Sequence, residues 1–176
     1  MVRSGAAAQP MIRSRSAAVA LVAGAQALPW FVHLVHLPGP VLLPMHFAAI
    51  LAGLALGPIP GVLNGLAAPM VSFLLTGLPP AFLVPVMAVE MAAYGGASGW
   101  LAHRTAWRGA WVVITTLALG RLALLVAVAI GGLMVGIRSS AIAFVVNGAM
   151  VGWPGIVLQV ILLSAVARKL VPRVRR

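Results

Sequence analysis

AFLVPVMAVEMAAYGGASGWLA, residues 81–102, is an apolar run that contains the only acidic residue of the chain, Glu90. About 20 consecutive apolar residues, wound as a helix, cross ~30 Å of hydrocarbon. A carboxylate at bilayer depth costs at least ~2.5 kcal/mol, so such a group is kept where it faces a bundle interior or a polar cavity. Residues 81–102 therefore read as a membrane-spanning helix. Glu90 reads as part of a solute site or of an internal ion pair.

The rest of the chain agrees with that reading. Of 176 residues, 62% are hydrophobic and 7% charged, whereas a soluble domain is about one-quarter charged because its surface must be hydrated. The expected fold is an all-α integral membrane protein, a single domain over residues 1–176 with six transmembrane helices in one compact bundle. The other five spans fall at about 14–32, 41–57, 61–76, 110–135 and 141–170. The second and third are short. They tilt little, are shielded by neighbours, or form an interrupted hairpin through Gly57-Pro58-Ile59-Pro60-Gly61.

Of the 12 basic residues, which with one acid set a net charge of +11, all but Arg121 group at the ends of these runs. Arg3, Arg13 and Arg15 precede the first, Arg104 and Arg108 lie between the fourth and fifth, and Arg168, Lys169, Arg173, Arg175 and Arg176 follow the sixth. Basic residues favour the cytoplasmic side, so both termini and the 103–109 loop are expected inside the cell membrane, with only Arg138 outside. His33, His36 and the Pro79-Pro80 pair then face the exterior. Basic groups placed in this way do not form the continuous face that nucleic acid requires. The absence of cysteine excludes disulfides, thiolate metal sites and cysteine nucleophiles, and no metal or cofactor motif is present. Arg13 and Arg15 followed by an apolar stretch and Ala25-Gln26-Ala27 also fit a signal peptide. The apolar run continues through Pro29-Trp30-Phe31-Val32, with an aromatic at the interface, which suits a retained span. Ser16, Ala20 and Gly24 share one helical face, where a small-residue stripe lets another helix come close.

Few polar residues lie within the runs, and each needs a partner or a water-lined cavity. Glu90 and Tyr94 stand one turn apart on one face, so an acceptor and a phenol can address the same solute. Arg121, about half-way along its span, carries five donors and needs an anion: Glu90, a solute carboxylate or backbone carbonyls. The Glu90 and Arg121 charges either pair to fix packing or touch solute, and the two readings can coexist. His46, beside Pro44 at the outer start of span two, either contacts solute or bonds a freed carbonyl. Asn64 and Ser72 lie in span three, and Asn147 and Gln159 in span six are solute ligands or interhelical contacts worth ~0.6–2 kcal/mol each. Gly61/Gly65, Gly95/Gly99, Gly132/Gly136 and Gly148/Gly152 match G-x-x-x-G and indicate close helix packing. A phosphate-binding G-x-x-x-x-G-K-[ST] motif, a second carboxylate and a proton relay are all missing, so uphill movement of a solute would need work supplied from elsewhere.

Three stretches carry a family resemblance: Leu43-Pro44-Met45-His46-Phe47-Ala48-Ala49-Ile50-Leu51-Ala52-Gly53 with Leu56-Gly57-Pro58 and Gly61; Pro69-Met70-Val71-Ser72-Phe73-Leu74-Leu75-Thr76-Gly77-Leu78-Pro79-Pro80; and Glu90-Met91-Ala92-Ala93-Tyr94-Gly95. With them the chain resembles the substrate-binding S-components of energy-coupling factor (ECF) vitamin transporters. The resemblance is clear over spans two to four and is one of size and layout elsewhere. It implies a six-helix membrane protein that captures a vitamin or cofactor precursor from outside. Its partners would be a transmembrane coupling subunit and two cytoplasmic ATPases, which would drive release of the solute inside. It also implies a docking face of small residues on helix one, for which Ser16, Ala20 and Gly24 are the nearest match. The implied pocket lies toward the outer side and selects Glu90, Tyr94, Arg121, Asn147 and Gln159. A Glu90 and Arg121 pair suits a neutral or carboxylate-bearing solute such as pantothenate, and a free Glu90 a cationic one. Two other readings compete. One is a membrane scaffold or assembly protein whose Glu90/Arg121 pair is structural. The other is an enzyme using Glu90 with His46, which lacks a visible third group.

Overall fold

The computed structural model describes residues 16, 19–20, 22–107, 109–134 and 140–170. Among these the chain is helical and has no strand. Five stretches are long and apolar enough to cross a membrane: Gly39–Leu56, Pro58–Thr76, Ala81–Arg104, Ala110–Gly132 and Ala141–Arg168. A shorter apolar helix, Val22–Val32, precedes them. The helices are α1 (Leu28–Leu34, preceded by helical residues 22–26), α2 (Gly39–Leu42), α3 (Pro44–Leu56), α4 (Pro58–Thr76), α5 (Val84–Arg104, led in by a 3-10 turn at Ala81–Leu83), α6 (Ala110–Met134) and α7 (Ala141–Leu170). Part of the first expected span, together with Arg3, Arg13, Arg15, Arg108, Arg138, Arg173, Arg175 and Arg176, lies outside the described residues.

The second and third runs are longer than their sequence bounds, at 18 and 19 residues. Proline explains the difference. Pro58 and Pro60 fall in the first turn of α4, where a missing N–H is one the helix leaves unpaired anyway. They start the helix instead of delaying it to Gly61. The reversal between α3 and α4 is made by Gly57 alone, at φ 98° and ψ 179°, a conformation that glycine adopts without a Cβ clash. Pro44 likewise opens α3. It follows Leu43, whose left-handed backbone (φ 52°) bends the chain between α2 and α3. That costs a non-glycine residue roughly 1–2 kcal/mol. The bend is held from both sides. The Leu43 N–H donates to the Gly39 carbonyl at 2.9 Å, and the Gln159 amide of α7 donates to the Leu43 carbonyl at 3.1 Å.

The frame is built on glycine. α4 packs most extensively on α5, and α3 covers both. A Cβ on Gly61 would strike the Gly95 backbone, and one on Gly95 would strike Gly61. Gly65 meets the Met91 backbone in the same way, Gly53 meets Gly95 and Ser98, and Gly99 lies against Gly57 and Pro58. The two G-x-x-x-G pairs, Gly61/Gly65 and Gly95/Gly99, are thus the seam of α4 and α5. Ser98 Oγ crosses to the Ile50 carbonyl at 3.1 Å, and a 3.0 Å bond joins His103 Nε2 and the Leu54 carbonyl, so polar contacts tie α5 to α3 at the end where the basic residues sit. Arg168 of α7 lies against Gly109 at that same end. Ser16, Ala20 and Gly24 are exposed, while Val22 and Ala25 are buried in the core, so the small-residue face points away from the bundle.

Gly95→Val should lower stability in detergent by about 1–3 kcal/mol, the cost of overpacking a tight interface. Gly24→Ala, where an added Cβ meets nothing within 4 Å, should change it by less than about 0.5 kcal/mol. Thermal unfolding of the purified variants compares the two.

Candidate functional site

Glu90 lies on the buried face of α5 with 3% of its surface exposed. Three side chains from three helices approach a single oxygen. The Tyr94 hydroxyl donates to Oε1 at 3.0 Å, Arg121 Nη1 of α6 donates to it at 3.1 Å, and His46 Nε2 of α3 stands 3.5 Å from it. No side chain of the described residues hydrogen-bonds Oε2. Buried ion pairs hold when their remaining donors and acceptors are satisfied, and here the tyrosine supplies the extra donor. Its ring is fully buried and is seated by Gly120, where a Cβ would run into it. The Gly120-Arg121 step therefore does two things: the glycine admits the ring, and the next residue reaches the carboxylate.

His46 is 5% exposed and its ring lies 5.2 Å from that of Tyr94, tilted by 52°. Neither of its nitrogens makes a hydrogen bond. The sequence offered solute contact or a freed carbonyl for it; the ring faces the carboxylate on the cavity wall and bonds no carbonyl.

Glu90, Arg121 and His46 sit on the wall of a cavity of about 500 Å³, a volume within the range of small-molecule sites. The wall is mostly apolar. Pro40, Leu43, Pro44 and Met45 line it from α2 and α3, Leu83, Val86 and Met87 from the start of α5, Leu124 from α6, and Phe144, Gly148 and Val151 from α7. Leu78, Pro79 and Pro80 bring it to the end of the bundle opposite the basic residues. Asn147 adds an amide, and Gly148 leaves room beside Arg121, whose Nη1 is 3.7 Å from where its Cβ would be. An apolar chamber with a few polar groups set together at one place is what holds a small solute by shape and orients it by charge.

Of the residues singled out in the sequence, Glu90, Arg121, His46 and Asn147 meet at this cavity. Tyr94 and Gln159 do not line it. Tyr94 acts on Glu90 from behind, and Gln159 secures the Leu43 bend. Ser72 lies on a different, smaller cavity between α4 and the start of α1 with the residues just before it, alongside Gln26 and Trp30. The apolar walls went unnamed in the sequence, although helical spacing carries them. Val86 and Met87 stand four and three residues from Glu90, Leu124 three from Arg121, and Phe144 and Val151 three and four from Asn147. Compared with protein-family models, with curated proteins and with solved structures, the chain finds no match.

Glu90→Gln and Arg121→Met should each destabilise the protein by on the order of 3 kcal/mol, because each leaves the partner charge buried and alone. The double variant should lose clearly less than the sum, since the two groups touch. Detergent melting of the four proteins measures this, and strict additivity would show that the 3.1 Å contact couples nothing.

Proposed function

We propose that the chain is a substrate-capture subunit, of the S-component type, in an ECF-type ATP-driven importer. On this reading it crosses the plasma membrane six times with both termini in the cytoplasm. It binds a vitamin or cofactor precursor from the outside and passes it on when a transmembrane coupling subunit and two cytoplasmic ATPases supply the work. The observation that carries the reading is one cavity in which a charged pair, a histidine and an amide share otherwise apolar walls. The cavity reaches the bundle end at Leu78–Pro80, while the described arginines Arg104 and Arg168 lie at the other end. The bias of basic residues toward the cytoplasm supports an outward-facing cavity on this reading. The absence of any nucleotide motif in the sequence leaves energy to partners. The exposed face with Ser16, Ala20 and Gly24 is where such a partner would dock. The solute on this reading is pantothenate-like, because Arg121 offers a carboxylate a forked donor.

A second reading, a membrane scaffold or assembly protein, draws on the same 3.1 Å Glu90–Arg121 contact, which by itself is what a structural pair requires. An enzyme using Glu90 and His46 is supported less. The two are adjacent, but no nucleophile or metal ligand joins them among the described cavity residues.

Native mass spectrometry of protein purified from cells grown in rich medium separates the first two readings. Capture predicts a small molecule that co-purifies with the wild-type protein and is lost from Arg121→Ala and Asn147→Leu variants that remain folded. A folded wild-type protein carrying lipid alone would favour the scaffold.

A further inference from the structure

We propose that the cavity takes its solute as a monoanion together with one proton, that His46 receives the proton, and that the imidazolium then replaces Arg121 as the cationic partner of Glu90. This rests on the solute-capture reading and concerns the same site.

Among the described cavity residues the ionisable groups are Glu90, Arg121 and His46. With neutral His46 the wall carries one negative and one positive charge, already spent on each other at 3.1 Å. A carboxylate entering that site would leave a net negative charge in a low-dielectric interior, which is expensive unless it is compensated. A neutral solute would meet an Arg121 that is already engaged. The excess positive charge needed by an anion must come from a group that can change its protonation state. Arginine does not do so, and Glu90 is already engaged as an acceptor from Arg121 and Tyr94, whereas histidine changes charge near neutral pH and the His46 nitrogens are unpartnered.

The geometry around His46 suits that role. It is buried, both ring nitrogens lack a hydrogen-bond partner, and a polar atom left so is costly. Protonation gives Nε2 a proton to donate toward Glu90 Oε1, 3.5 Å away, a gap that a small side-chain shift closes. The remaining neighbours do not oppose the charge. From α5 come Glu90 and Tyr94, and from α6 Arg121. α4 carries no ionisable residue, and the polar side chains of α7 nearest the cavity and the Leu43 bend are the amides Asn147 and Gln159. Arg121 is the one like charge. It is freed to turn toward the solute, with its side chain 18% exposed and on the cavity wall beside Gly148. Glu90 Oε2, to which no described side chain hydrogen-bonds, is then the acceptor for a solute hydroxyl or amide. The charge count closes: solute, Glu90, Arg121 and His46 sum to zero. The proton is drawn from water and no bond in the solute is broken.

The sign of the linkage follows. Binding that takes up a proton weakens as pH rises, by up to about tenfold per pH unit. The test is calorimetric titration of the full chain in detergent at neutral pH, in phosphate and in Tris, whose ionisation enthalpies differ. The probes are the monocarboxylates pantothenate, biotin and nicotinate, with neutral riboflavin and cationic thiamine beside them. The expected result is that an acid binds with about one proton taken up per solute, read from the difference in enthalpy between the buffers. His46→Gln should abolish that difference and weaken binding at neutral pH roughly tenfold or more. The wild-type measurement stands alone if the variant fails to fold. An acid that binds with no proton uptake overturns the proposal. Binding of riboflavin or thiamine alone overturns it while leaving solute capture intact. A folded protein that binds none of the five removes the capture reading for these solutes, and this proposal with it.

Discussion

The organisation of the bundle turns on one oxygen atom. Glu90 Oε1 receives Tyr94 from its own helix and Arg121 from α6, and it faces His46 of α3. In a chain with one acid, no other residue can neutralise a half-buried arginine inside the bundle. The three helices must therefore arrive in register at that point or leave a charge stranded in a low-dielectric interior, an error costing roughly 3–5 kcal/mol. Gly120 admits the Tyr94 ring, and the Leu43 bend, held by Gln159, sets the start of α3 from which His46 projects. These two details of backbone serve the same atom.

Below and above Glu90 the bundle is built differently. Toward the basic end, α3, α4 and α5 meet backbone to backbone through Gly53, Gly61, Gly95 and Gly99, so closely that a methyl group has no place. Toward the other end the bulk of Leu83, Val86, Met87, Leu124 and Phe144 stands back around a cavity. A rigid seam at one end and a chamber at the other set the Glu90 carboxylate at the junction of the two. Close-packed interiors transmit strain instead of absorbing it, so the position of Glu90 is fixed by the seam one turn beneath it.

Much of this was legible in the sequence because membrane chains obey few rules. Length and apolarity located the long helices, and the bounds of α7 matched their expected span residue for residue. The scarcity of polar residues pointed to Glu90, Arg121, His46 and Asn147, which the fold brings together. What the sequence obscured has physical causes. Proline both starts and breaks helices, so the Gly57–Gly61 segment looked like a longer interruption than the single-residue turn it is. The role of Gln159 depends on a left-handed leucine, and no pattern announces such a residue. Apolar walls such as Val86 and Phe144 resemble the lipid-facing residues around them, because hydrocarbon and cavity select the same side chains. Tyr94 was rightly placed with Glu90, but whether it touches solute is a matter of a few degrees around the helix, and the fold turns it inward.

The claim at the centre of this account is that water and solute reach Glu90 through the Leu78–Pro80 end of the bundle from outside the cell. The chain has no cysteine, so a single introduced thiol reports without background, and only a thiol that water reaches ionises and reacts readily. Val86→Cys on the cavity wall and Trp107→Cys at the opposite end, labelled with a membrane-impermeant maleimide, compare the two sides directly. The account predicts that Val86→Cys reacts in intact cells and that Trp107→Cys reacts only after permeabilisation. The reverse pattern, or a Val86→Cys thiol that stays unreactive from both sides, would contradict it.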